Sequence, residues 1–77
     1  MSVGAALAYL AKAVGFKDVY AINTGGHGWA EVNGLIYDAE WARHRKNKSY
    51  YAMTYDGTGK EYRYVFSLSN QYARVKI

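Results

Sequence analysis

Asn33-Gly34 lies between two segments in which apolar and polar residues alternate, and no other pair of residues constrains the fold as tightly. A two-residue hairpin turn that matches the right-handed twist of its strands needs positive φ at both positions, which asparagine and glycine supply with least strain. Such a turn sets the register of the strands beside it. It places Val32 opposite Leu35, Glu31 opposite Ile36, Ala30 opposite Tyr37, Trp29 opposite Asp38 and His27 opposite Glu40. Side chains alternate along a strand, so His27, Trp29, Glu31, Ile36, Asp38 and Glu40 are expected on one face. Ala30, Val32, Leu35, Tyr37, Ala39 and Trp41 share the other, which is almost wholly apolar and is expected to be core.

The rest of the chain reads as a helix followed by strands. Residues 2–14 carry Val3, Ala6, Leu7, Leu10, Ala13 and Val14 at the spacing of one buried helical stripe. Ser2 is placed to cap this helix and Gly15 to end it. Gly4 is its weak point, costing about 1 kcal/mol relative to alanine. Residues 18–22 form a short strand, and Asn-Thr-Gly-Gly at 23–26 connects it to the hairpin. Residues 49–55 and 61–68 read as two more strands, and 71–77 as a final edge strand or a frayed end. Helix first and strands after predicts an α+β fold, an N-terminal helix packed on an antiparallel sheet.

Seventy-seven residues make one domain, and a chain this short buries only about 60% of its unfolded surface. An apolar content of 51% excludes a disordered tail. Much of it is alanine and tyrosine, so a neighbouring segment or self-association is expected to complete the core, and a homodimer is the expectation. Cysteine is absent, which excludes a disulfide scaffold, a thiolate zinc site and a cysteine nucleophile within these residues. Residues 1–14 are apolar enough for a signal sequence but lack a basic n-region and a clear cleavage site. Nothing approaches the length of a membrane span. The net charge of +4 is mild, and Arg43, Arg45, Lys46 and Lys48, with His44 among them, read as a solvated basic face.

On the polar hairpin face, His27 and Asp38 are diagonal neighbours, with α-carbons roughly 7–8 Å apart. A carboxylate at that distance reaches a ring nitrogen, fixes the tautomer and stabilises the imidazolium that forms when the ring takes a proton from a nucleophile. Glu40, directly opposite His27, is a competing partner. A surface histidine beside an acidic group remains the plainer reading of the same spacing. His27 and His44 are too far apart, and one histidine with carboxylates too weak a set, to call for a metal or other cofactor.

His27-Gly28-Trp29-Ala30-Glu31-Val32, the turn glycine Gly34, then Tyr37-Asp38 and Trp41 resemble the histidine and aspartate motifs of transglutaminase-like domains, part of the papain-like group of thiol enzymes. Ala8-Tyr9-Leu10-Ala11-Lys12-Ala13-Val14-Gly15-Phe16 resembles the family's nucleophile-bearing helix and the Gly-aromatic step that ends it. The resemblance covers residues 3–41. It implies a cysteine at the start of this helix, which by counting back from Gly15 falls at or just before Met1. Residues 1–77 are therefore expected to be a single transglutaminase-like domain that is N-terminally incomplete, or a degenerate homologue. The resemblance further implies thiol acyl transfer or amide hydrolysis on a protein or peptide substrate. His27 would shuttle the proton, Asp38 would orient His27, and Trp29 would shield the pair, with Glu40 beside it. The family's oxyanion-stabilising residue has no counterpart, and Ala39 stands where a proline often follows the aspartate. Ser2, the nearest hydroxyl, reads as a cap rather than a nucleophile. Lacking the cysteine, the chain is expected to be inactive as it stands.

The alternative from another class is a non-catalytic cell-surface binding or structural module on the same scaffold. Tyr50, Tyr51, Tyr55, Tyr62, Tyr64 and Tyr72 offer stacking surfaces for glycan or peptide, although Tyr62, Tyr64 and Phe66 alternate as one core face of a strand does. Single-stranded nucleic acid on the basic and aromatic residues is the weakest reading, because acids balance the charge and no recognisable module is present.

Overall fold

The computed structural model describes residues 3–24, 26–63 and 73–77. Six elements run in the order α1 (Val3–Ala13), β1 (Val19–Asn23), β2 (Gly28–Val32), β3 (Leu35–Tyr37), α2 (Ala39–His44) and β4 (Ala73–Lys76). The strands form one antiparallel sheet in the order β3-β2-β1-β4. The fold is α+β, with the N-terminal helix packed on the sheet.

Alanine-rich sequence forms α1, and its end is fixed locally. Gly15, at φ +114°, donates to the Lys12 carbonyl and Phe16 donates to the Ala11 carbonyl. These are the two bonds that close a helix through a left-handed residue. The buried stripe, however, is rotated from the expected one. Gly4 and Ala8 are the buried residues of α1, while Val3, Leu10 and Val14 remain 39%, 59% and 67% exposed. The small residues won this face because α1 lies very close to β2. A Cβ on Gly4 would stand 2.4 Å from the Trp29 nitrogen and 2.6 Å from the Gly28 carbonyl carbon. Gly4 is thus the point of closest contact, and its low helix propensity is the accompanying cost. The exposed Leu10, Val14 and Phe16, with the partly buried Leu7, border an open apolar groove of about 310 Å³.

The hairpin turn forms as expected, with Asn33 at φ 52° and Gly34 at φ 79°. The pairs Val32–Leu35, Glu31–Ile36 and Ala30–Tyr37 take the expected register. The ladder then stops. Asp38 caps α2, its side chain accepting from the Trp41 N–H at 3.0 Å. The expected cross-strand pairs Trp29–Asp38 and His27–Glu40 are therefore not formed, because an acidic cap followed by Ala-Glu-Trp-Ala-Arg favours a helix over continued strand.

Both faces of the hairpin are buried. Ala8, Val19, Ala30 and Val32 form one core beneath α1. Ile22, Trp29, Ile36, Tyr50, Met53 and Tyr62 form the other, with Trp41 packed against it. Trp41 was expected beside Ala30 and Val32, and the turn into α2 carries it to the opposite side. The strand expected over 49–55 is reduced to a single bridge between Ile36 and Met53. Ala52, at φ +54°, interrupts extension there. Residues 60–63 are helical where a strand was expected, and 64–68 lie outside the described residues. β4 agrees with the expected edge strand; positions 71 and 72, Ser2 and the aromatic residues Tyr64, Phe66 and Tyr72 lie outside the described residues.

Candidate active site

His27 precedes β2 and is held by its own backbone. The Thr24 N–H and hydroxyl both donate to the His27 carbonyl, at 2.9 and 3.0 Å. Its ring enters the space between β2 and the start of α2. There Nε2 meets Asp38 Oδ2 at 2.5 Å. A carboxylate that receives several donors is an acceptor only, so Nε2 carries the proton and Nδ1 is the nitrogen open to exchange. Glu40 Oε1 stands 3.5 Å from Nδ1, beyond good hydrogen-bond length but within ion-pair reach of an imidazolium. The helix that replaces the expected ladder therefore still delivers both carboxylates to His27. Asp38 arrives as the cap of α2, and Glu40 from its first turn.

Aromatic rings enclose the pair. Trp41 stacks on His27 with centroids 4.5 Å apart and planes inclined by 22°. Trp29 is fully buried and tilted against the imidazole at 6.0 Å. Trp29 was expected to shield the pair from solvent. Its ring lies against the dyad from within the core, and Trp41 is a second ring, stacked over the imidazole. Arg45 lies 3.8 Å over Trp41, so one member of the basic stretch packs on the site. Lys48 bonds the Thr58 carbonyl at 2.5 Å and pairs with Glu61. Arg43, His44 and Lys46 are exposed, and His44 takes no part in the site.

Asp38 is completely buried. Besides His27 and the Trp41 N–H it accepts the Tyr62 hydroxyl at 2.6 Å, on the same oxygen that His27 uses. Burial alone pushes its carboxyl upward. The hydrogen bonds from His27, Trp41 and Tyr62, with the imidazolium charge, outweigh that and hold it below the usual carboxylate range. For His27, burial works against the charged form. The bond to Asp38 and the charges of Asp38 and Glu40 prevail, so its proton affinity is raised. The result is an imidazole of increased basicity beside a carboxylate that stays ionised.

A second network lies on the same sheet face. Trp29 Nε1 donates to the Tyr55 hydroxyl at 3.3 Å, and Tyr55 donates to Glu31 at 2.8 Å. Arg74 reaches Glu31 Oε2 at 2.5 Å from β4. Buried Glu31 is thereby fully partnered, and Arg74 lies over the Tyr20 ring at 3.6 Å. Among the described residues no group of three or more histidine, cysteine, aspartate or glutamate side chains could hold a metal ion. Tyr62 and the stacking role of Trp41 are the site features that sequence reasoning missed. The signal for Trp41 was the Asp38 cap; for Tyr62 there was none, since its contact spans 24 residues.

Comparison with protein-family models, curated proteins and solved structures finds no match. The resemblance to transglutaminase-like domains rests on this chain's own motifs.

Proposed function

We propose that His27 and Asp38 are the acid–base half of a transglutaminase-like thiol acyl-transfer or amide-hydrolysis site, with a protein or peptide substrate. The observation that carries this reading is the 2.5 Å contact of Nε2 with a buried carboxylate, which leaves Nδ1 for proton exchange. The close approach of Gly4 to Gly28 supports it, because the start of α1 is brought beside the residue that follows His27. A thiol on that first turn would be favoured as thiolate by the helix dipole and by the imidazolium.

In a site that held such a thiol, the thiolate would attack the amide carbonyl carbon, and the C–N bond would break as His27 passed its proton to the departing amine. The resulting thioester would be resolved by water or by a second amine, with His27 taking that nucleophile's proton. Asp38 would keep Nε2 protonated and the ring oriented throughout. The seventy-seven residues contain no cysteine, so this chain alone is expected to give no turnover. That same fact favours a second reading, in which the dyad is a structural fastening between β2 and α2 in a non-catalytic module.

Cysteine variants separate the two. With Ser2→Cys, and with Met1→Cys behind an added initiator, the thiol should alkylate as a thiolate near neutral pH and incorporate amines, and His27→Ala should abolish both. Ordinary thiol reactivity that His27→Ala leaves unchanged, in folded variants, would retire the catalytic reading in favour of the structural one. Self-association belongs to the same proposal, since Leu10, Val14 and Phe16 are exposed. Sedimentation showing only monomer at high concentration would end it.

A further inference from the structure

We infer that Tyr62 is a positioning residue that sets the proton affinity of His27 by sharing Oδ2 of Asp38 with it. The inference rests on reading His27 and Asp38 as an acid–base pair, and deepens it. Three donors converge on the Asp38 carboxylate. The Trp41 N–H takes Oδ1, at 3.0 Å, and has the separate task of starting α2. His27 Nε2 and the Tyr62 hydroxyl both address Oδ2, at 2.5 and 2.6 Å. Two donors on one oxygen compete for its electron density, so each weakens what the other can draw.

Tyr62 fills the second core with its ring and addresses Asp38 with its hydroxyl. It is fully buried, its ring meets Trp29 edge-on at 4.8 Å and tilts against Trp41 at 5.2 Å. Those are the two rings that also border His27, so the hydroxyl and the imidazole are aimed at Oδ2 by the same walls. Burial and the adjacent Asp38 carboxylate push the phenol far above its ordinary range. Tyr62 is therefore a neutral donor across the pH range in which His27 titrates. It does not exchange protons with substrate; it lends a fixed dipole whose positive end lies at Oδ2. That end opposes the imidazolium and drains the charge that stabilises it.

Among the described residues, the charged and titratable groups around this array are few. Asp38 and Glu40 face His27. Glu61 and Tyr50 lie beside Tyr62, with Glu61 paired to Lys48 and Tyr50 bonded to Asn47. Arg45 lies over Trp41. Of these, Tyr62 alone acts on the oxygen that His27 uses.

The test is a histidine titration by NMR on the whole chain, which needs no nucleophile. Tyr62→Phe should raise the His27 pKa by about half a unit to one unit. In an Asp38→Asn background the same substitution should leave it unmoved, because the shared oxygen no longer carries charge. A 3-fluorotyrosine placed at position 62, a stronger donor in the same volume, should lower it. An unchanged or lowered His27 pKa in folded Tyr62→Phe would overturn the inference, as would an equal shift in the Asp38→Asn background. Should Tyr62→Phe fail to fold, the fluorotyrosine protein decides alone: a lowered value supports the role and an unmoved one refutes it. Failure of the proposed function reads differently. The titration shifts would persist while the cysteine variants stayed unreactive toward amides.

Discussion

The two faces of the β1–β2–β3 sheet are packed by opposite means. Under α1, Ala8, Val19, Ala30 and Val32 meet with no buried polar side chain among them, and the backbones of α1 and β2 come within van der Waals distance at Gly4. On the other face the volume is filled by Trp29, Tyr50 and Tyr62 with Met53 and two isoleucines, and two buried carboxylates, Glu31 and Asp38, are held by hydroxyl, imidazole, guanidinium and backbone N–H donors. Small residues give a short, rigid distance between helix and sheet. Large amphipathic rings give a space in which charge can be buried with its partners. The first face fixes where the start of α1 lies relative to His27, and the second fixes the protonation of His27 itself.

The comparison breaks most severely at Asp38. Asp38→Ala strands the Tyr62 hydroxyl and the imidazole and removes the cap of α2, and should cost about 3 kcal/mol in urea denaturation. Gly4→Val should cost about 2–3 kcal/mol by overpacking, since the clash is with backbone that cannot rotate away. The two losses should differ in their dependence on pH. The raised affinity of His27 contributes stability that is complete below its ordinary value of 6.5 and is lost as pH rises through its folded value. The lowered value of Asp38 contributes stability present above 3.8 and lost as pH falls through its folded value. The cost of Asp38→Ala should therefore peak between pH 4 and 6.5, whereas that of Gly4→Val should be flat across the range. A flat profile for both would mean that the dyad contributes by packing alone.

Smaller changes sharpen the same contrast. Tyr55→Phe removes the donor to Glu31 but leaves Arg74 in place, and should cost about 1 kcal/mol by thermal denaturation. Glu40→Gln touches a half-exposed group, and should change stability by less than about 0.5 kcal/mol. Its clearer effect is a modest fall in the His27 pKa, read by the same NMR titration. A fall larger than that of Asp38→Asn would make Glu40, rather than Asp38, the principal partner.

Local chemistry made part of this readable in advance. Asn33-Gly34 forms its turn in the expected register because positive φ is a property of those two residues. The helix, β1, the hairpin and the edge strand were legible for similar reasons. The pairing of His27 with Asp38 was also anticipated, yet by a route the molecule does not take: the two meet across a strand and a helix cap, not across a ladder. The apolar pattern of α1 pointed to Val3, Leu10 and Val14 as its buried side, and close approach to β2 selected Gly4 and Ala8 instead. Residues 49–63 read as strand and turn because tyrosine and threonine favour strands, but their rings fill the second core from loop and helix.

Sequence by itself determined the turn, its register, the end of α1, and the presence of an imidazole and a carboxylate within reach of one another, since each depends on neighbours along the chain. Only the tertiary structure decided that Tyr62 shares the oxygen of Asp38, that Trp41 covers His27, and that glycine rather than leucine faces the sheet. Those outcomes depend on distances between elements remote in sequence. They are settled by which side chains fit between backbones, and by which buried charges find donors.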